Sequence, residues 1–236
     1  MEDDGRGRAG SVKNKLFRLL TCLILVFAAL SGCGLPTVTF LYPPQNFFFS
    51  GNATLSVQNT NLNYDASEGA NQTFKGIEIF YHIYQDYQDA SNMLLTLGNL
   101  SKDYEGNPDQ FIEVITGTSY RFVRLRNSVD RIQPLLALSS AADENIYSIQ
   151  LNGISNWTLN DGLSTYDVIR TINTLSDDRF YVRDFNTGDD DYNGTASSSG
   201  SPYYIVFFAV SYGQDQVTVG QNVYSMPYIP SSFATY

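Results

Sequence analysis

Polar and apolar residues alternate most cleanly over Gly76–Tyr84. Ile77, Ile79, Tyr81 and Ile83 share one face there, and Glu78, Phe80, His82 and Tyr84 share the other. A period of two predicts a β-strand. Shorter runs predict strands at Thr37–Leu41, stopped by Pro43-Pro44, and at Ala53–Val57, Ile112–Ile115, Tyr120–Leu125, Phe180–Phe185, Tyr203–Tyr212 and Val223–Ile229. Ile146–Leu151 and Ile154–Leu159 flank Asn152-Gly153, the dipeptide of a two-residue hairpin. Two stretches predict helices instead. Asp89 can cap one, with Ala90, Met93, Leu94 and Leu97 on a single face. Ser164 and Asp167 form a capping box between the staple positions Leu163 and Val168, which predicts a helix to about Leu175 burying Val168, Ile169, Ile172 and Leu175. Asn59–Asn71 and Asp189–Pro202 read as polar loops. Strands far outnumber helices, so the fold class is mainly β.

The N-terminal pattern has another origin. Arg6, Arg8, Lys13, Lys15 and Arg18 precede an apolar run, Leu19–Leu30, which ends in Leu30-Ser31-Gly32-Cys33. A membrane-spanning helix needs roughly 20 apolar residues, and this run has about a dozen before small residues and Pro36 interrupt it. Charge, a short apolar run and small residues in that order form an export signal. The closing tetrapeptide resembles the lipobox of bacterial lipoproteins, in which Leu30, Ser31 and Gly32 set the cleavage site and Cys33 is diacylated. That resemblance implies removal of residues 1–32, a mature domain over 33–236, and attachment to a membrane of the cell envelope through a diacylglyceryl-cysteine. Outer membrane or cell surface is expected ahead of the inner membrane. Buried acyl chains at about 0.8 kcal/mol per methylene hold such a protein without a span. Two starts stay open: Met1, followed by the acidic Glu2-Asp3-Asp4, and Val12, read from a non-AUG codon.

Lipidation accounts for both cysteines, because Cys22 leaves with the leader and Cys33 carries the lipid. The mature chain then has neither a free thiol nor a disulfide, and an ordinary core must stabilise it. Removing 32 of 236 residues leaves 204, enough for one large domain or two small ones. The leader takes five of the 14 basic and three of the 24 acidic residues, so the remainder carries −12. Such a charge repels nucleic acid and anionic lipid headgroups, which removes both from the expected partners. The 17 Tyr and 15 Phe suit β-structure, and such residues are also enriched at binding surfaces.

The closing strands carry a further resemblance. Tyr203-x-Ile205-x-Phe207-x-Ala209-Val210-Ser211-Tyr212-Gly213, followed by Ser225-x-Pro227, is similar to the last strand pair of fibronectin type III domains, and Gly76–Tyr81 is similar to their third strand. The resemblance covers about 45 residues. It implies a fibronectin/immunoglobulin-like β-sandwich in which 85–202 is an inserted α/β segment carrying one or two short helices. The family's early tryptophan is absent, and the one Trp is Trp157. The opening Cys33-Gly34-Leu35-Pro36, with Tyr42-Pro43-Pro44 soon after, also resembles spirochaete lipoproteins of unassigned function.

Candidate chemistry is sparse. His82 is the one histidine, and no nucleophile motif adjoins it. Zinc would need further His or Cys ligands, and no phosphate-binding loop occurs. Asp189-x-Asp191-x-Asn193-Gly194 matches the first half of a calcium loop, with oxygen donors at alternate positions and a glycine for the turn. Gly200 then stands where a bidentate Glu belongs. No cofactor is expected; calcium is the one candidate metal, with a solvated hairpin tip of clustered acids as its alternative. Tyr84, Tyr87, Tyr104 and Trp157 are candidate platforms for sugar rings, with core packing as their alternative. The expected role is binding, as a surface-ligand or adhesin-like module for a protein or glycan, and not catalysis. Two alternatives stay open: a periplasm-facing assembly subunit that docks by a strand edge, and a glycan-active enzyme using a pair among its 21 mature carboxylates.

Overall fold

The structure is a computed structural model that describes residues 41–50, 54–58, 63, 72–137, 146–151, 157–160, 164–170, 185–195, 202–215 and 220–236. All lie within one unit, Thr39–Tyr236. In chain order the elements are β1 (Gln45–Ser50), β2 (Thr54–Gln58), β3 (Gln72–Tyr84), α1 (Tyr87–Asp103), α2 (Pro108–Thr116), β4 (Val123–Arg124), β5 (Arg126–Asn127) and β6 (Leu136–Ala137). They continue with β7 (Ile146–Gln150), β8 (Thr158–Asn160), β9 (Thr165–Ile169), β10 (Tyr192–Asn193), β11 (Tyr204–Asp215), β12 (Asn222–Tyr224) and β13 (Ala234–Thr235).

These strands form two sheets. One runs β1-β2-β7-β8-β9-β5, antiparallel throughout. The other is built on the long antiparallel pair β3–β11, in register from Tyr204 opposite Tyr84 to Asp215 opposite Gln72. Short strands cover both outer edges of that pair. β6, β4 and the parallel β10 lie in turn along β3, while β12 and β13 lie along β11.

Both faces of β3–β11 are buried. Ile77, Ile79, Tyr81, Ile83, Ile205, Phe207 and Ala209 pack with Leu55, Val57, Tyr147, Ile149, Trp157, Leu159 and Val168 in the core between the sheets. On the opposite face, Phe80, Val206, Phe208 and Val210 pack under Ala90, Leu97, Phe111, Ile112 and Ile115 of the two helices. Phe80 and Phe208 stack there with centroids 4.9 Å apart, and Phe111 meets Phe208 edge-on at 5.5 Å. The described residues are thus layered sheet, sheet, helices, and mainly β as the patterning predicts.

The segment 85–202 supplies both helices and four of the six strands in the first sheet. Gly76 shows how tightly the second sheet is assembled. At φ +145° it sits beside a bulge at Lys75, and a Cβ there would lie 2.1 Å from the Leu136 carbonyl oxygen of β6. Only glycine permits that approach.

Several local expectations give way. Ile112–Ile115 belongs to helix α2. Asn107 caps it by accepting from the Gln110 N–H at 3.4 Å, Pro108 opens it, and Phe111, Ile112 and Ile115 form its buried stripe. The helix expected from Ser164 is strand over Thr165–Ile169, paired with β8 and β5. Its Thr, Tyr, Val and Ile side chains suit a pleated surface, and cross-strand pairing overrides a two-residue cap signal. Residues 171–184 lie outside the described set, as do residues 37–40; Leu41 is not in a strand. A two-residue turn at Asn152-Gly153 would set Gln150 opposite Ser155, whereas β7 and β8 pair Gln150 with Thr158. Only Val123–Arg124 of the expected Tyr120–Leu125 strand pairs with β3. The cap of helix α1 stands three residues before the expected one. Asp86 accepts from the Gln88 and Asp89 N–H groups at 2.7 and 3.1 Å. The strand β1 carries no alternation, since Phe47, Phe48 and Phe49 are consecutive, and was not expected.

Candidate functional site

The two acids of the calcium candidate face inward. Asp189 and Asp191 lie just before β10, which runs parallel to the end of β3 through Ile83 N–H to Asp191 O (2.9 Å) and Gln85 N–H to Asn193 O (3.0 Å). Between them sits Arg170, at the end of β9 and wholly buried. Its Nε donates to Asp191 Oδ2 at 2.8 Å, and its Nη2 donates to Asp189 Oδ2 at 3.0 Å and also to Asp191 Oδ1. The guanidinium lies 4.8 Å from the centre of the Phe185 ring. Tyr81 Oη donates to Asp191 Oδ2 at 2.5 Å, and the Asn186 N–H donates to Asp189 Oδ2 at 2.9 Å.

Burial opposes the charge on Arg170, but the bonds and charges of its aspartates outweigh that and raise its pKa. Burial first, then Asp191, pushes Tyr81 well above the phenol range. The oxygens read as half a calcium loop are therefore engaged by an arginine. The Asn193 side chain is exposed, and Gly194 admits the Tyr192 hydroxyl, 2.4 Å from where a Cβ would stand. Among the described residues no group of three or more His, Cys, Asp or Glu is placed to hold a metal ion.

A second network sits on the helix-side face of β3. Glu78, itself buried, pairs with Arg124 Nε at 3.1 Å and Arg126 Nη1 at 3.2 Å. Arg124 donates to Tyr224 Oη at 2.5 Å and lies over the Phe80 and Tyr224 rings at 5.4 and 5.7 Å. Asp109 of α2 closes the group by accepting from the Tyr224 N–H at 3.1 Å. Burial, with Glu78 next, pushes the Tyr224 phenol up to about 12. Burial also raises Asp109. Arg124 and Arg126, two residues apart, and Glu78 within the alternating run Gly76–Tyr84 are the sequence signals that could have found this pairing.

His82, two turns of the pleat further on, is buried against Tyr84 and Phe122, with ring centroids 4.8 and 5.7 Å away. Its Nδ1 lies 3.0 Å from the Arg121 carbonyl oxygen. A carbonyl only accepts, so Nδ1 carries the proton. Burial lowers the ring's pKa from 6.5 to about 4. The partner is backbone, not a hydroxyl or thiol, and the arrangement does not activate a nucleophile.

A cavity of about 290 Å³ is lined by Thr116, Thr118, Arg121, Phe122, Val123 and Asp190. A second, of about 240 Å³, lies between Tyr147, Leu159, Tyr166 and the 130–137 segment.

The aromatic candidates divide. Trp157 is in the core against Phe207 and Tyr236, and Tyr84 is buried under the helices. Tyr104 packs on the helix-side core. Tyr87 is 59% exposed and meets Tyr204 and Phe233 edge-to-face at 5.5 and 5.3 Å, forming an aromatic surface cluster. Val129 and Ile132, 74% and 91% exposed, project from the loop after β5. Leu30, Ser31, Gly32 and Cys33 lie outside the described residues. No helix among the described residues is long and apolar enough to cross a membrane. No protein-family model, curated protein or solved structure matches this chain.

Proposed function

We propose that this chain is an exported lipoprotein, anchored in the cell envelope through a diacylglyceryl thioether on Cys33, whose β-rich domain works by binding a protein or glycan partner. The observation that carries the reading is the order of basic segment, twelve-residue apolar run and Leu30-Ser31-Gly32-Cys33. The surface supports the binding half. Arg124, Arg126 and Arg170 are turned toward the buried acids Glu78, Asp189 and Asp191, while Tyr87, Val129 and Ile132 are displayed to solvent. Tyrosine is among the residues that most often anchor an interface, and Tyr87 stands in a surface cluster with Tyr204 and Phe233.

The assignment to a fibronectin- or immunoglobulin-like sandwich is part of the same proposal. Those folds set their first, second and fifth strands against the third, sixth and seventh. Here β1-β2-β7 packs against β3-β11-β12, an adjacency that supports the assignment. The departures are β8, β9 and β5 beyond β7, the parallel β10 and the helix layer. Domains of that class are mostly interaction modules, and this warrant is an analogy of fold.

Fractionation combined with protease treatment of intact cells tests the proposal. The wild-type chain is expected in the membrane fraction, and Cys33→Ala is expected to leave it. Digestion beside an intact periplasmic control places the partner outside the cell, and protection places it within the envelope. Retention of Cys33→Ala in the membrane overturns the lipid anchor.

A further inference from the structure

The 290 Å³ cavity carries two opposite charges that do not neutralise each other. Arg121 and Asp190 both line it, both are exposed, and no ion pair or side-chain hydrogen bond joins either to another described residue. Phe122 and Val123 supply its apolar surface, and the volume suits a small ligand.

Each charge is presented from a fixed backbone. Arg121 adopts φ +52°, uncommon for a residue with a side chain. It is held there from two sides, because its carbonyl accepts from His82 Nδ1 at 3.0 Å and its N–H donates to Gly117 O at 2.8 Å. Asp190 stands between Asp189 and Asp191, whose carboxylates are pinned inward by the buried Arg170. With both neighbours turned inward, Asp190 is the one of the three aspartates that is exposed and lines the cavity. Two buried polar devices that serve no evident chemistry of their own thus converge on the walls of one pocket.

The wall at Thr116 also favours a cation. Thr116 ends helix α2, where the helix dipole is negative. Its hydroxyl donates to the Ile112 carbonyl at 2.7 Å and keeps its oxygen lone pairs as acceptors.

We propose that this cavity binds a small zwitterion, an α-amino acid with an aliphatic side chain, its carboxylate on Arg121, its ammonium on Asp190 and its side chain against Phe122 and Val123. The second cavity does not carry a comparable argument, because the Asn127 and Asp130 side chains there are taken by the N–H groups of Val129, Ile132 and Gln133. The inference rests on reading the domain as a binding module and is independent of the lipid anchor, so soluble Cys33→Ala protein that still binds the amino acid would separate the two.

The test is calorimetric titration of the intact protein in detergent with L-leucine, 4-methylpentanoate and isopentylamine. The last two keep the side chain and carry one charge each. Leucine is expected to bind about tenfold or more tighter than either, since each charge-assisted contact contributes more than a factor of ten. Arg121→Gln and Asp190→Asn should each weaken leucine about tenfold or more, with melting curves unchanged because both side chains are exposed. Leucine binding no tighter than 4-methylpentanoate would reduce the pocket to a simple anion site and overturn the proposal. So would wild-type affinity in both variants, or no leucine binding up to about 10 mM.

Discussion

Strand β3 carries a charged network on each face, and the two differ in what surrounds them. Toward the other sheet, Tyr81 joins Arg170, Asp189 and Asp191, with the arginine and both acids at most 2% exposed. Toward the helices, Glu78 joins Arg124 and Arg126, and the Arg124 side chain is 31% exposed. The chemistry is the same, guanidinium against carboxylate. In the sealed network the partners have no access to water, so each group depends on all the others. In the open one, solvent can replace a lost partner. A sealed network adds little net stability over a well-packed apolar core, yet breaking it is costly. What it provides is placement, here of β10 along β3 and of Asp190 at the surface.

The sharpest break of this comparison is Arg170→Met, which strands two carboxylates in the core and should cost about 3–5 kcal/mol in denaturant unfolding. A loss below about 1 kcal/mol would mean that water reaches Asp189 and Asp191 after all.

Next comes His82, on the open network's face but itself sealed. Its folded pKa, about 4, lies below the ordinary 6.5 because burial disfavours the charged ring. The unfolded chain therefore binds the proton more readily. The contribution of His82 is complete above about pH 6.5, falls as pH drops and is gone below about 4, a loss of about 3 kcal/mol. His82→Gln keeps a donor for the Arg121 carbonyl and does not titrate. Its stability should fall less steeply across that range, and parallel stability–pH curves would contradict the assignment.

Gly76→Ala probes the backbone beneath the open network, where the Gln133 carbonyl accepts from Arg126 at 3.3 Å and Leu136 crowds Gly76. A Cβ there must push β6 away, with an expected cost of about 2–3 kcal/mol in the same unfolding assay. Arg124→Ala should show the smallest effect, about 0–1 kcal/mol, because Arg126 still neutralises Glu78 and solvent reaches the vacated site. If Arg124→Ala costs as much as Arg170→Met, exposure does not distinguish the networks.

Little of this placement can be read locally. Gly76–Tyr84 is legible because its alternation spans nine residues. The segment Phe111–Ile115 is ambiguous by periodicity alone; Asn107-Pro108-Asp109 ahead of it held the decisive start signal, and a short apolar run was read without it. Thr165–Ile169 shows the reverse error, in which a capping pair outweighed strand-forming side chains whose partners lie elsewhere in the chain. Arg170 was invisible for a deeper reason. Three aspartates in a Gly/Ser-rich loop look the same whether water or a guanidinium surrounds them, and the guanidinium comes from 19 and 21 residues earlier. The Asp189-x-Asp191 spacing did mark the right place. It signalled two inward carboxylates with an outward one between them.

The most direct test of the central claim is mass spectrometry of the N-terminal peptide from protein extracted out of its native membrane. The account predicts a chain beginning at Cys33, with its sulfur carrying a diacylglyceryl group. A chain that retains Leu30-Ser31-Gly32, or an unmodified Cys33, would contradict it.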